Sequence, residues 1–166
     1  VVKVWFPGIT FASKTLCIHW MLSTIDLCLS AFPWADFRST KGAIKLHVGL
    51  NHSGFLPELV MITKGKTSDI TVVRTRNFPK GSIVAIDKGY NDYSWYKQLT
   101  DKGIFFVTRL KSNAKHRVID RRSVDKNTGL ICDQTIGFMG IQTAKKCPTK
   151  MRRVGYKDAV TDLSYQ

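Results

Sequence analysis

The chain has 166 residues, 43% of them hydrophobic and 11% aromatic, which is enough for one packed domain and excludes a disordered chain. Lys and Arg number 26 against 12 Asp and Glu, a formal charge of +14, so the expected partner is a polyanion, most simply nucleic acid. An anionic membrane surface fits less well, since no basic amphipathic helix is legible, and the distant cysteines Cys17, Cys28, Cys132 and Cys147 form no CxxC pair, which argues against zinc and dithiol chemistry and for a reducing compartment.

Residues 1 to 15 show no clear period and remain unassigned; no small-residue cleavage site marks them as a signal peptide. From Leu16 to Leu29 the residues are mostly apolar or β-branched, which predicts a long central strand. The apolar stretch to Ala35 is interrupted by His19, Ser23, Thr24, Asp26 and Ser30 and is a poor membrane span. Ser30 to Thr40, with Pro33 and Trp34, reads as a loop. Ile44, Leu46, Val48 and Leu50 then alternate with Lys45, His47 and Gly49, the pattern of a half-buried strand. Asn51 to Gly54 is a turn, and Phe55 to Thr63 a second strand, with Pro57 at its start or on an edge. Thr67-Ser68-Asp69 signals a helix N-terminus, and Phe78 to Gly81 a turn.

Ile83-Val84-Ala85-Ile86 is a continuous apolar run ending at Asp87, followed at once by Lys88-Gly89. Such a run predicts a strand buried on both faces. Asp87 then reads in two ways: a carboxylate held at the mouth of a sheet, where α/β folds place their chemistry, or an Asx-turn residue starting the next element. Asn91-Asp92 can cap a helix to Lys102 whose apolar face is Trp95, Tyr96 and Leu99. Ile104 to Val107 is a second buried run, completing a parallel βαβ unit. Beyond Asn113 the chain becomes basic and turn-rich, with short strands expected at Ile131 to Ile136 and Arg153 to Tyr156.

Two basic clusters are the candidate DNA-binding residues. The first holds Arg109, Lys111, Lys115, Arg117, Arg121 and Arg122; the second holds Lys145, Lys146, Lys150, Arg152, Arg153 and Lys157. Each phosphate such residues neutralise releases counterions, which gives affinity without sequence specificity. A solvated surface is the plain alternative. A strand-end Asp87, with Asp26 on a neighbouring long strand and a polyanionic partner, suggests metal-assisted phosphoryl transfer, with hard oxygen ligands suited to magnesium or manganese.

Several segments together resemble the DDE transposases of bacterial insertion sequences, in particular the insertion-sequence-four family. They are Ile25 to Ser30, Phe32-Pro33-Trp34-Ala35, Lys41 to His47, Ile86-Asp87-Lys88-Gly89-Tyr90, Phe105 to Arg109 and Thr128 to Gln134, within roughly Ser23 to Tyr156. The resemblance implies an α/β fold: an RNase H-like mixed sheet with flanking helices over 16–113, and a basic β-rich insertion region over 114–166 before the core's last helix. It implies DNA cleavage and strand transfer with Mg2+ or Mn2+, transposon ends and target DNA as partners, no membrane role, and a bacterial cytoplasmic, nucleoid-associated setting. It leaves room for a homodimer in the DNA complex.

The family's catalytic set is Asp, Asp, Glu. Its second aspartate matches Asp87, which the resemblance makes the catalytic and metal-binding candidate. Its first lies in an Asp-Ser-Thr-Thr-Ile pattern, where this chain has Met21-Leu22-Ser23-Thr24-Ile25, so Met21 occupies the aspartate position. The family's glutamate sits in a Tyr…Arg…Glu…Lys helix after the β-rich insertion, and no such helix is legible in these 166 residues. Asp26 as a substitute would point to the opposite strand face from position 21, and reads as structural. Tyr90 and Arg109 also match family positions. The expectation is therefore a DDE transposase segment that is inactive and holds no metal competently. The alternatives are a non-catalytic nucleic-acid-binding module of RNase H-like fold and, third, a basic assembly protein.

Overall fold

The computed structural model describes residues 15–38, 41–54, 56–157 and 164–165. The unassigned segment through residue 14, Phe55 at the expected start of the second hairpin strand, and residues 158–163 lie outside the described residues.

β1 (Cys17–Leu27) is the centre of the main sheet. It runs antiparallel to β3 (Lys41–Asn51), from Ile18 opposite Asn51 to Leu27 opposite Gly42. A tight turn, in which the Asn51 side chain accepts the Ser53 N–H at 2.8 Å, leads into β4 (Leu56–Lys64), antiparallel to β3. Pro57 sits on this edge strand beside a register shift, where its missing N–H breaks little. β2 (Asp36–Arg38), a strand within the segment expected to be loop, pairs with the first residues of β3. On the other side of β1, β5 (Ile83–Ile86) and β6 (Phe105–Thr108) add in parallel. The order β4-β3-β1-β5-β6, three antiparallel strands and then two parallel ones, is the RNase H-like mixed sheet.

Two helices cover one face. α1 (Asp69–Arg74) contributes Val72 and Val73; α2 (Tyr93–Asp101) contributes Trp95, Tyr96 and Leu99. They pack against Ile18, Trp20, Val84 and Ile86. Burial of these side chains is the main stabilising term. Asp92 caps α2 by accepting the Trp95 N–H at 2.9 Å, and Gly103, at φ +67°, ends it in the left-handed region.

The sequence pattern misleads at β3. The face expected to be polar, Lys45, His47 and Gly49, is the one turned to the helices: His47 and Gly49 are buried, while Ile44, Leu46, Val48 and Leu50 are half-buried. The reason is steric and polar together. Gly49 leaves room for the Trp20 ring, and buried His47 has partners in Tyr90 and Thr63. β6 differs as well: as an edge strand it leaves Phe105 61% exposed rather than buried.

A second, antiparallel sheet follows. β7 (His116–Arg122), β8 (Leu130–Phe138), β9 (Met151–Lys157) and β10 (Ser164–Tyr165) stand in the order β10-β9-β8-β7, with α3 (Ile141–Lys146) between β8 and β9. An aromatic series ties it to the core. Phe138 meets Tyr93 at 4.7 Å, Tyr93 meets Tyr96 at 5.9 Å, and Tyr96 stacks on Phe106 at 4.5 Å. No helix among the described residues is long and apolar enough to cross a membrane.

Candidate active site and DNA interface

β5 and β6 end in step beside the middle of β1, which runs on to Leu27 paired with β3. The last paired residues are Trp20, Ile86 and Thr108, so the next along each strand, Met21, Asp87 and Arg109, form one row across the sheet. In-register neighbours on parallel strands point to the same face. β5 is buried throughout, which fixes the base of Asp87 rigidly, while the carboxylate itself is 48% exposed.

Arg109 Nη2 donates to Asp87 Oδ2 at 2.5 Å, and the Gly89 N–H donates to Asp87 Oδ1 at 3.0 Å. The second contact is the Asx turn that the sequence also allowed. Asp87 starts a 3-10 turn over Lys88–Tyr90 and also projects its carboxylate from just past the end of β5. Partial burial pushes this carboxyl up, but the hydrogen bonds from Arg109 and Gly89 and the charges of Arg109 and Lys88 outweigh it. The group sits below its ordinary pKa and is ionised at neutral pH.

The floor beneath the row is polar and buried. Tyr90 is 1% exposed, and its hydroxyl lies 3.4 Å from His47 Nδ1; His47 Nε2 lies 3.0 Å from Thr63 Oγ1. Burial holds His47 below its ordinary value, so it is neutral. Beside it, Lys45 donates at 2.7 Å to both Asp69 and the Thr67 carbonyl, pinning β3 to the start of α1. Sequence reasoning missed this group, because alternation placed His47 and Lys45 on the wet face. On the other face, His19 precedes Met21 by two residues and stacks on His52 at 5.9 Å.

The donors in the row do not fit a pair of hard divalent cations. Met21 offers a neutral thioether, a poor ligand for magnesium, and Asp87 is already engaged by a guanidinium. Among the described residues no three His, Cys, Asp or Glu side chains converge as a metal site. Asp26 is exposed, lies opposite Ala43 on β3, and stands five residues beyond Met21, about 17 Å along the strand. It is not part of the row.

The two basic clusters are brought to the second sheet and its approach. Lys111 and Lys115 border an open cavity of about 370 Å³ with Asn91, Tyr93, Asn113, Met139 and Thr143. Arg117 and Arg121 are exposed on β7. Lys145 and Lys146 are exposed in the last turn of α3, where the helix dipole favours cations. Arg122 and Arg152 are different, because both clamp Asp133. Arg152 donates to it at 2.7 and 3.0 Å and Arg122 at 2.9 Å. The Arg152 hydrogen bond is the chief reason the Asp133 carboxyl is held below its ordinary value. Arg153 donates to Gln134 at 2.7 Å. These three arginines fasten β7, β8 and β9 together.

The transposase DDE-domain family matches residues 31–161, most of the chain, from the turn after β1 through β9. The chain belongs to that family. A protein named "Putative transposase y4zB", from Sinorhizobium fredii (strain NBRC 101917 / NGR234), is 30% identical over 132 residues. The match covers 78% of this chain but 37% of that relative, so the chain spans little more than a third of its length. No solved structure matches.

Proposed function

We propose that this chain is the DNA-handling part of a transposase catalytic region, and that its own residues bind DNA without cutting it. Asp87 is the member of the DDE set carried here. Met21, in step with it on β1, takes the place of a second carboxylate. Lys111, Lys115, Arg117, Arg121, Lys145 and Lys146 grip the phosphate backbone, while Arg122, Arg152 and Arg153 hold the second sheet in shape and add to its positive field. We propose 16–113 as the catalytic core and 114–166 as the basic insertion region. In the longer transposase the partners would be transposon ends and target DNA, with Mg2+ or Mn2+ as the metal.

The observation that carries this reading is the register: Met21 and Asp87 are level, so the chain has one carboxylate where the family's chemistry needs several. With a single anionic ligand, repulsion between two divalent ions is scarcely offset, and the Arg109 guanidinium becomes the counter-ion instead. The test has two arms. Binding of a duplex should fall about a thousandfold between 50 and 200 mM salt if about six phosphates are neutralised. Supercoiled plasmid should stay intact with magnesium. Magnesium-dependent nicking that Asp87→Ala abolishes would overturn the non-cleaving reading, and salt-independent binding would overturn the interface.

A further inference from the structure

We infer that Phe32 and Trp34 form a base-stacking contact for unpaired DNA, separate from the basic sheet and from the strand-end row. This rests on the DNA-binding reading above, and it assigns a role to a motif that the row and the basic clusters leave unused. Trp34 is 54% exposed and Phe32 41%, whereas the core tryptophans Trp20 and Trp95 are 1% and 3% exposed. The two rings meet edge to face, with centroids 6.5 Å apart at 89°. Large aromatic surface left in water is costly, and here it is held out deliberately by the backbone. Phe32 N–H and Ala31 N–H both donate to the Cys28 carbonyl, at 2.9 and 3.2 Å, and Ala35 N–H donates to the Phe32 carbonyl at 3.0 Å. Pro33 opens a 3-10 turn, and fully buried Ala35 anchors its end against Gly42 of β3. The backbone that carries the rings is thus already shaped before binding.

The surroundings select the partner. Arg38 pairs in register with Lys41, and both side chains are exposed. Lys64 ends β4 at the same corner, and Lys66 reaches Asp36. Arg38, Lys41, Lys64 and Lys66 outnumber the carboxylates Asp26 and Asp36 there. An exposed aromatic pair inside a positive field fits the pattern of single-strand recognition, in which cations follow the backbone and rings take the bases. The corner lies some seven residues along β1 and its turn from Met21, about 20 Å, so it is a second point of contact on the DNA.

The experiment uses the whole chain and a fluorescent single-stranded 20-mer, with an abasic strand of the same length as control. Trp34→Ala and Phe32→Ala should each weaken binding of the ordinary strand by roughly 5- to 150-fold. They should leave the slope of affinity against salt unchanged, because no phosphate contact is lost, and Trp34→Phe should recover most of the affinity. On the abasic strand, wild type and Trp34→Ala should bind alike. Melting temperatures should match wild type, since both side chains are exposed. Equal affinity of Trp34→Ala and wild type for the ordinary strand overturns the inference while leaving the salt-steep interface standing. A change in self-association with unaltered DNA affinity makes the corner a protein contact and overturns it too. No binding by wild type at low salt removes the DNA-binding reading along with it.

Discussion

Met21 on β1 stands level with Asp87 at the end of β5, one residue past the last paired rung between Trp20 and Ile86. Met21→Asp should therefore place two carboxylates side by side. Like-charge repulsion raises the proton affinity of such a pair, so the variant should melt lower than wild type at neutral pH without metal. Manganese at about ten times its Kd should return about 1.4 kcal/mol. Calorimetry and melting with and without manganese check this; equal manganese affinity for wild type and variant would count against the alignment of the two positions.

Arg109→Gln should release the Asp87 carboxyl toward its ordinary value of 3.8. The pair is about half exposed on both sides, so stability should change by less than about 1 kcal/mol. The sign follows from the depressed pKa. In wild type the interaction is present above the unfolded value and is lost as pH falls through the lower folded one. A carbon-detected titration of Asp87 in both proteins reads the shift directly.

A side chain at position 49 would press on the core. A Cβ there would lie 3.2 and 3.3 Å from two Trp20 ring carbons, and Trp20 is 1% exposed. Gly49→Ala should destabilise the chain by about 1–3 kcal/mol. Urea unfolding followed by tryptophan fluorescence measures it, and an unchanged midpoint would mean that the ring moves freely.

Asp133→Asn should loosen the second sheet, because Arg122 and Arg152 lose the shared negative charge and one of its two acceptor oxygens. About 2 kcal/mol is the expected loss at neutral pH for charge-assisted hydrogen bonds of this kind. The wild-type contribution is complete above the ordinary carboxyl value of 3.8 and disappears as pH falls through the depressed folded-state value, so the two proteins should converge in acid. Stability that runs parallel at all pH values would show that the arginines are held by something else.

Much of the main sheet was legible because its strands are built from long apolar or alternating runs. Ile83 to Ile86, short, apolar and closed by turn signals, reads as a buried strand, and Asn51 to Gly54 marks the hairpin. The facing of β3 was not legible, since nothing local reveals that Trp20 needs the space at Gly49 or that His47 finds Tyr90 and Thr63. β7 was also hidden: its sequence, His116 to Arg122, is charge-rich, and its place depends on Asp133 and Gln134 across the ladder. α3 is short and starts at Gly140, at φ +93°, without a side-chain cap. For the site, the residue types were readable, but the level placement of Met21, Asp87 and Arg109 is a property of strand register.

The parallel pairing of β1 with β5 joins residues 17–20 to 83–86, whereas β3 and β4 meet across a tight turn. Closing the longer loop costs more chain entropy before any contact rewards it. The hairpin should thus assemble early, and the alignment of Met21 with Asp87 and Arg109 should be a late event in folding. In pulsed hydrogen exchange, amides of β3 and β4 should gain protection before those of β5. During synthesis, the nascent chain would carry an uncovered β1 until β5 has left the ribosome, which makes this central strand the segment most open to mispairing and to chaperone capture.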